Sequence, residues 1–371
     1  MSHSCRRAIV VCVALSVSGL AHAQTSSWTS SGDPAAPKPP AVQRAPAAKP
    51  PSTPDKPAKM PPRTGDPLSR FEKGPIGVPA PRNETAPTAE DAAFLAFDQG
   101  QYMTALTLAG KRAAMGDAAA CTLAGRIYDE GLGINKDPVV AARWYKKGAD
   151  LGDIEAAFAL GVMFAEGRGV DKDRTAAGEM FERAAMKQHA LANYNLALLF
   201  LTGVGKPENP YRAAQHLAFA AQKGVAAAQY DLATLYQKGH GVQPDAFEAS
   251  RWMRRAAEQG MPDAEYDYAV MLLKGYGLNA DMPRAIDYLK SAANKGLPGA
   301  QNRLAHVYVE GIMMLDRDLV EAAKWRILSR EGKIADDVLD ALVAKLSRGD
   351  REKAEKAAQK WRDDTALDRV Q

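Results

Sequence analysis

From Gly116 onward the chain repeats itself every 36 residues: Gly116, Gly152, Gln188, Gly224, Gly260 and Gly296 open six successive units. A period of that length constrains the architecture more than composition can. Each unit is one supersecondary element that cannot bury its apolar side alone, so it must stack on its neighbours.

The same residue types recur at the same places in each unit. One small residue is Ala120, Ala156, Ala192, Ala228, Ala264 and Ala300; a second, five residues on, is Gly125, Gly161, Ala197, Ala233, Ala269 and Ala305. A bulky residue follows three later: Tyr128, Phe164, Phe200, Tyr236, Leu272 and Tyr308. This spacing predicts a first helix whose backbone comes close to its neighbours. Glycine pairs (Gly131/Gly133, Gly167/Gly169, Gly203/Gly205, Gly239/Gly241 and Gly275/Gly277) then end it, because glycine tolerates the positive φ of a helix C-terminus. Next come Asp137, Asp173, Asn209, Asp245 and Asp281, suited to the N-cap or first turn of a second helix. That helix carries a small residue (Ala141, Ala177, Ala213, Ala249, Ala285) and then a large one (Trp144, Met180, His216, Trp252, Tyr288). Every unit therefore reads as two antiparallel helices joined by a glycine-rich turn.

The units run 116–151, 152–187, 188–223, 224–259, 260–295 and 296–332. The sixth departs, with Met313 at the second glycine position and one extra turn residue. Residues 89–115 read as a leading helix pair with a tighter turn. Residues 333–371 read as a helical cap, with helices from Asp336 to Leu346 and Asp350 to Trp361 and a tail that frays from Asp363.

This pattern resembles the Sel1-like repeat, a longer-looped relative of the tetratricopeptide repeat; Leu160 to Ala185, LGVMFAEGRGVDKDRTAAGEMFERAA, is the clearest copy. The resemblance implies an all-α, right-handed α/α superhelical solenoid. It also implies an inner face lined by first-helix residues outside the packing positions. One column is Phe158, Tyr194, Tyr230, Tyr266 and Asn302; a second includes Arg126, Leu198, Thr234 and His306. These residues would hold a partner protein or extended peptide, with tyrosines as rigid anchors. The same tyrosines fit inter-repeat packing equally well, and both readings stand at this point.

At the N-terminus, Arg6 and Arg7 precede an apolar run from Ala8 to Leu15 and the small-x-small site Ala21-His22-Ala23. That order predicts a signal peptide over 1–23, with cleavage after Ala23 and a periplasmic or secreted mature protein. The apolar run is shorter than a spanning helix needs, so no transmembrane segment is expected. Residues 24–88 hold sixteen of the 23 prolines and predict a disordered Pro/Ala/Lys-rich linker. Between Pro34 and Asn83 nine basic residues face three acids, a bias suited to weak contact with an anionic envelope.

With 48 basic and 44 acidic residues the chain has no strong nucleic-acid footprint. Cleavage would leave Cys121 as the single cysteine, so stability must come from packing, and Cys121 reads as a buried small hydrophobe. No histidines share a metal-binding helical spacing, and no nucleophile sits beside a base. Gly203-Val204-Gly205-Lys206 lacks the rest of a phosphate loop, and Arg348-Gly349-Asp350 reads as a helix start. No metal and no cofactor is expected. The sequence thus points to a non-enzymatic interaction scaffold or adaptor. Some exported relatives, such as a rhizobial exopolysaccharide regulator, act on envelope signalling. Two other classes stay open: a peptidoglycan-associated structural factor, and a β-lactam hydrolase like that linked to cysteine-rich Helicobacter relatives, whose per-repeat disulfides this chain lacks.

Overall fold

The computed structural model describes residues 92–311 and 316–368. The signal peptide expected over 1–23, the linker over 24–88 and Met313 lie outside the described residues. Those that are described form sixteen α-helices and no strand. A leading pair, α1 (Ala92–Asp98) and α2 (Tyr102–Ala114), precedes six repeat pairs. These are α3 (Ala118–Glu130) with α4 (Pro138–Asp150), α5 (Ile154–Glu166) with α6 (Arg174–Met186), and α7 (Ala190–Thr202) with α8 (Pro210–Gln222). They continue with α9 (Ala226–Lys238) and α10 (Ala246–Glu258), α11 (Pro262–Lys274) and α12 (Met282–Asn294), and α13 (Pro298–Glu310) and α14 (Leu319–Glu331). Two further helices, α15 (Asp337–Lys345) and α16 (Arg348–Asp368), close the array. From α1 to α15 each helix packs on its neighbours in the chain, as in a solenoid, and α16 packs back on α14.

Both ends of the helices are written in the repeat. Asp137, Asp173, Asn209, Asp245, Asp281 and Asp318 are all N-caps, and each side chain accepts from a backbone N–H of the first turn. Gly131, Gly167, Gly203, Gly239 and Gly275 end the first helices in the left-handed conformation. The second glycine of the turn has a different task. A Cβ on Gly169, Gly205 or Gly241 would lie 2.1–2.3 Å from the carbonyl oxygen of Pro138, Arg174 or Pro210, at the start of the preceding repeat's second helix. These glycines let consecutive repeats touch backbone to backbone.

The fully buried second-helix column is one residue beyond the large one marked in the sequence. Trp144, Met180, His216 and Tyr288 are only half-buried, whereas Tyr145, Phe181, Leu217, Met253 and Leu289 are sealed. Their size matches the second small residue of the first helix. Where that residue is glycine, an added Cβ would meet a ring, 2.8 Å from Tyr145 at Gly125 and 2.7 Å from Phe181 at Gly161. Where it is alanine, at 197, 233 and 269, the facing residue is aliphatic. In repeat six the column ends in Arg326, 2% exposed. Its guanidinium donates in bidentate fashion to Asp340 of α15 (Nε to Oδ1 2.8 Å, Nη2 to Oδ2 2.6 Å) and to the Ile334 carbonyl at 2.9 Å. The cap is completed by α16, whose Trp361 ring packs edge-on to Trp325 at 6.3 Å. The last helix starts two residues earlier than expected: α16 begins at Arg348, where the Ser347 hydroxyl accepts from the Asp350 amide, and runs to Asp368.

Candidate binding face

The nine face residues divide by what surrounds them. At the N-terminal end, Arg126 is buried, pairs with Glu130 at 2.8 Å and has its guanidinium 4.9 Å from the centre of the Phe97 ring of α1. Phe158 is 7% exposed and stacks on the His189 imidazole, centroids 4.4 Å apart. That imidazole also caps α7, accepting from the Ala192 amide at 3.0 Å. At the other end, Asn302 donates to Asp336 Oδ2 at 2.9 Å and accepts from Arg326 Nη1 at 3.0 Å, while His306 Nε2 lies 2.7 Å from the same Asp336 oxygen. Burial opposes ionisation of Asp336, but the Leu339 amide, Asn302 and His306 outweigh it and hold the carboxyl down at about 2. Both ends of the column are therefore engaged, by the leading pair and the next repeat at one end and by the cap at the other.

The middle is arranged differently. Tyr194 is buried and its hydroxyl bonds Asp231, one residue past the equivalent tyrosine of the next repeat. Tyr230 repeats the arrangement, donating to Asp267 Oδ2 at 2.8 Å. Burial raises the Tyr230 hydroxyl pKa, and the Asp267 charge adds to the rise. Asp231 and Asp267 were not singled out in the sequence, although they stand 36 residues apart immediately after position 230 and at the same place in α11. A carboxylate recurring inside a mostly apolar helix was the available signal. Leu198, Tyr230, Thr234 and Tyr266 remain half-exposed. Thr234 bonds the Tyr230 carbonyl at 3.1 Å, and the Tyr266 ring packs over Gly299. Asp267, the hydrogen-bond partner of Tyr230, lines a hollow of about 350 Å³ together with Gln237, Val270, Met271, Lys274 and Tyr276.

Elsewhere the expected packing roles hold. Cys121 is buried, and burial raises its thiol pKa. His216 stacks on Phe200 at 5.7 Å with Nδ1 2.8 Å from Asn193 Oδ1, and burial, helped by Arg212, lowers its pKa. Lys206 donates to Glu182 at 2.8 Å. Among the described residues no His, Cys, Asp and Glu cluster suits a metal, and no helix is long and apolar enough to cross a membrane.

The Sel1 repeat model matches six consecutive segments, 118–153, 154–189, 190–225, 226–261, 262–297 and 298–325, more than half of the chain. The chain belongs to the Sel1 repeat family. Proteins built of Sel1 repeats generally mediate protein–protein interactions and are generally non-catalytic. Among solved structures, a Sel1 repeat protein from Oxalobacter formigenes is 28% identical with a TM-score of 0.58, covering 68% of this chain and 100% of its own. A protective antigen of uropathogenic Escherichia coli with an SLR fold is 24% identical with a TM-score of 0.64 over 76% of this chain. The match spans 61% of that antigen's length, and at this identity the likeness concerns the fold alone. No curated protein matches the chain.

Proposed function

We propose that this Sel1 repeat chain is a non-enzymatic scaffold, exported to the periplasm or beyond, that binds a protein or extended peptide on the middle of its first-helix face. The observation that carries this reading is the contrast along the column. Arg126, Phe158, Asn302 and His306 are tied up by the ends of the array, while Tyr230 and Tyr266 are partly exposed in its middle and Asp267, which holds Tyr230, lines the 350 Å³ hollow. Tyr230 is already oriented by Asp267, so a partner need not freeze it on binding. Export rests on the order of residues 6 to 23, and the basic linker would add weak contact with an anionic envelope. Regulation of envelope signalling is the form of adaptor that best suits these features.

A photo-reactive side chain at Tyr266, compared with one at exposed Glu179 on a second helix, tests the face in envelope extracts. A discrete adduct from position 266 that is absent from 179, and weakened by Tyr230→Ala, is expected. The same adducts from both positions would remove the assignment.

A further inference from the structure

The turn of repeat five differs from those before it. The residue facing the first turn glycine is Lys136, Lys172, Glu208 and Pro244 in repeats one to four, but Ala280 in repeat five. Alanine is the smallest residue at this place in the five turns. A cavity of about 610 Å³ opens there, within the range of small-ligand sites. Leu272, Leu273 and Leu278 give it an apolar wall, and Arg254 of α10 and Arg284 of α12 give it two cations.

Tyr268, from α11, also lines the cavity. It is 3% exposed, its ring meets Tyr288 edge-on at 5.2 Å, and its hydroxyl has no hydrogen bond among the described residues. Arg284 and Arg254 line the same cavity; burial raises the pKa of that hydroxyl, and the two guanidiniums oppose the rise. Neither cation is tightly held by acids, and Arg284 also hydrogen-bonds the Tyr288 hydroxyl. Arg254 is 3.6 Å from Glu258, and Arg284 is 3.9 Å from Asp281, whose Oδ1 is already engaged in capping the Arg284 amide at 3.1 Å. A hydroxyl that opens on the cavity without a protein partner, beside two guanidiniums only weakly paired with acids and an apolar wall, is complementary to an anionic group carried on an apolar body. Asp281, held at its own helix cap, is the one carboxylate in the lining.

We propose that this cavity captures the carboxyl end of a partner peptide whose last residue is apolar, with Arg254, Arg284 and the Tyr268 hydroxyl on the carboxylate and the leucines around the side chain. Flat charge-assisted pairing with guanidinium favours a carboxylate, and capture of a terminal carboxylate is an established mode of peptide recognition. The cavity is built from different residues than the first-helix face, so the inference goes beyond that reading and survives its failure.

The test is fluorescence anisotropy of the full chain with a labelled pentapeptide ending in leucine, as the free acid and as the amide, with octanoate as competitor. The free acid should bind at least about tenfold more tightly than the amide, and Arg254→Gln or Arg284→Gln should each weaken it about tenfold. Tyr268→Phe should weaken it about fivefold. Ala280→Lys, which restores the residue of the first two turns and removes no charge, should abolish binding with melting temperature unchanged. Equal affinity for acid and amide, no binding of the acid, or full binding by Ala280→Lys would overturn the proposal. Octanoate binding as tightly as the peptide would overturn the peptide assignment in favour of a free apolar carboxylate. The Tyr266 cross-link reads the other surface and is expected to be unaffected by Ala280→Lys.

Discussion

A methyl group added at Gly161 would meet the Phe181 ring at 2.7 Å. Gly161→Ala is therefore expected to destabilise the array by about 1–3 kcal/mol, the usual range for overpacking. Phe181→Leu in the same chain should recover at least about 1 kcal/mol of it, because alanine opposite leucine is the pairing that repeat three already uses at Ala197 and Leu217. Urea unfolding of the two single variants and the double variant measures the coupling. Asp231 gives a second residue-scale prediction. Burial lifts its carboxyl from 3.8 to about 6, against the pull of the Tyr194 hydroxyl. The folded state therefore holds a proton that the unfolded state has released between about pH 4 and 6, so this group's contribution is most favourable below that window and falls as pH rises through it. Asp231→Asn keeps an acceptor for Tyr194 and should add about 1–2 kcal/mol at pH 7, with no gain at pH 4.

Element boundaries depend on two kinds of glycine, which substitution can separate. Gly224 and Gly241 both have positive φ, 93° and 75°. A Cβ on Gly224 meets nothing within 4 Å, whereas on Gly241 it would lie 2.2 Å from the Pro210 carbonyl oxygen. Gly224→Ala should cost about 1–2 kcal/mol, the left-handed penalty alone. Gly241→Ala adds a collision of two backbones from successive repeats and should cost clearly more, lowering the melting temperature by at least twice as much in paired scans. The start signals of first helices also vary. Asp117, Asp153 and His189 cap the first three with side-chain acceptors, while Val225, Met261 and Leu297 at the same place accept nothing. Later first helices lean on packing instead, and in α9 and α13 the buried Gln229 and Gln301 bond the carbonyls of Ala221 and Ala293.

At the scale of the whole molecule, contacts between successive helices make stability a chain of local interfaces. The C-terminal cap is one such interface: it supplies Asp340 to Arg326, and Asp336 to Asn302 and His306. Deleting 333–371 would expose a guanidinium that is 2% accessible and remove its main counter-charge. Hydrogen exchange should then show loss of amide protection concentrated in α13 and α14, with α3 to α6 changed by less than about twofold. Uniform loss along the array would contradict the nearest-neighbour picture.

The helix pairs, the glycine turns, the second-helix caps and the solenoid were legible in the sequence, because each depends on residues that are close in the chain and recur every 36 positions. Signals that depend on a neighbouring repeat were read less well. The sealed column at Tyr145, Phe181, Leu217, Met253 and Leu289 was displaced by one residue, since adjacent large side chains on a helix differ only in the face they present. The Tyr–Asp bonds between first helices, the buried Arg326 and the cavity beside Ala280 required the stacked array. They are relations between residues on different helices, and only tertiary packing brings those residues within bonding distance.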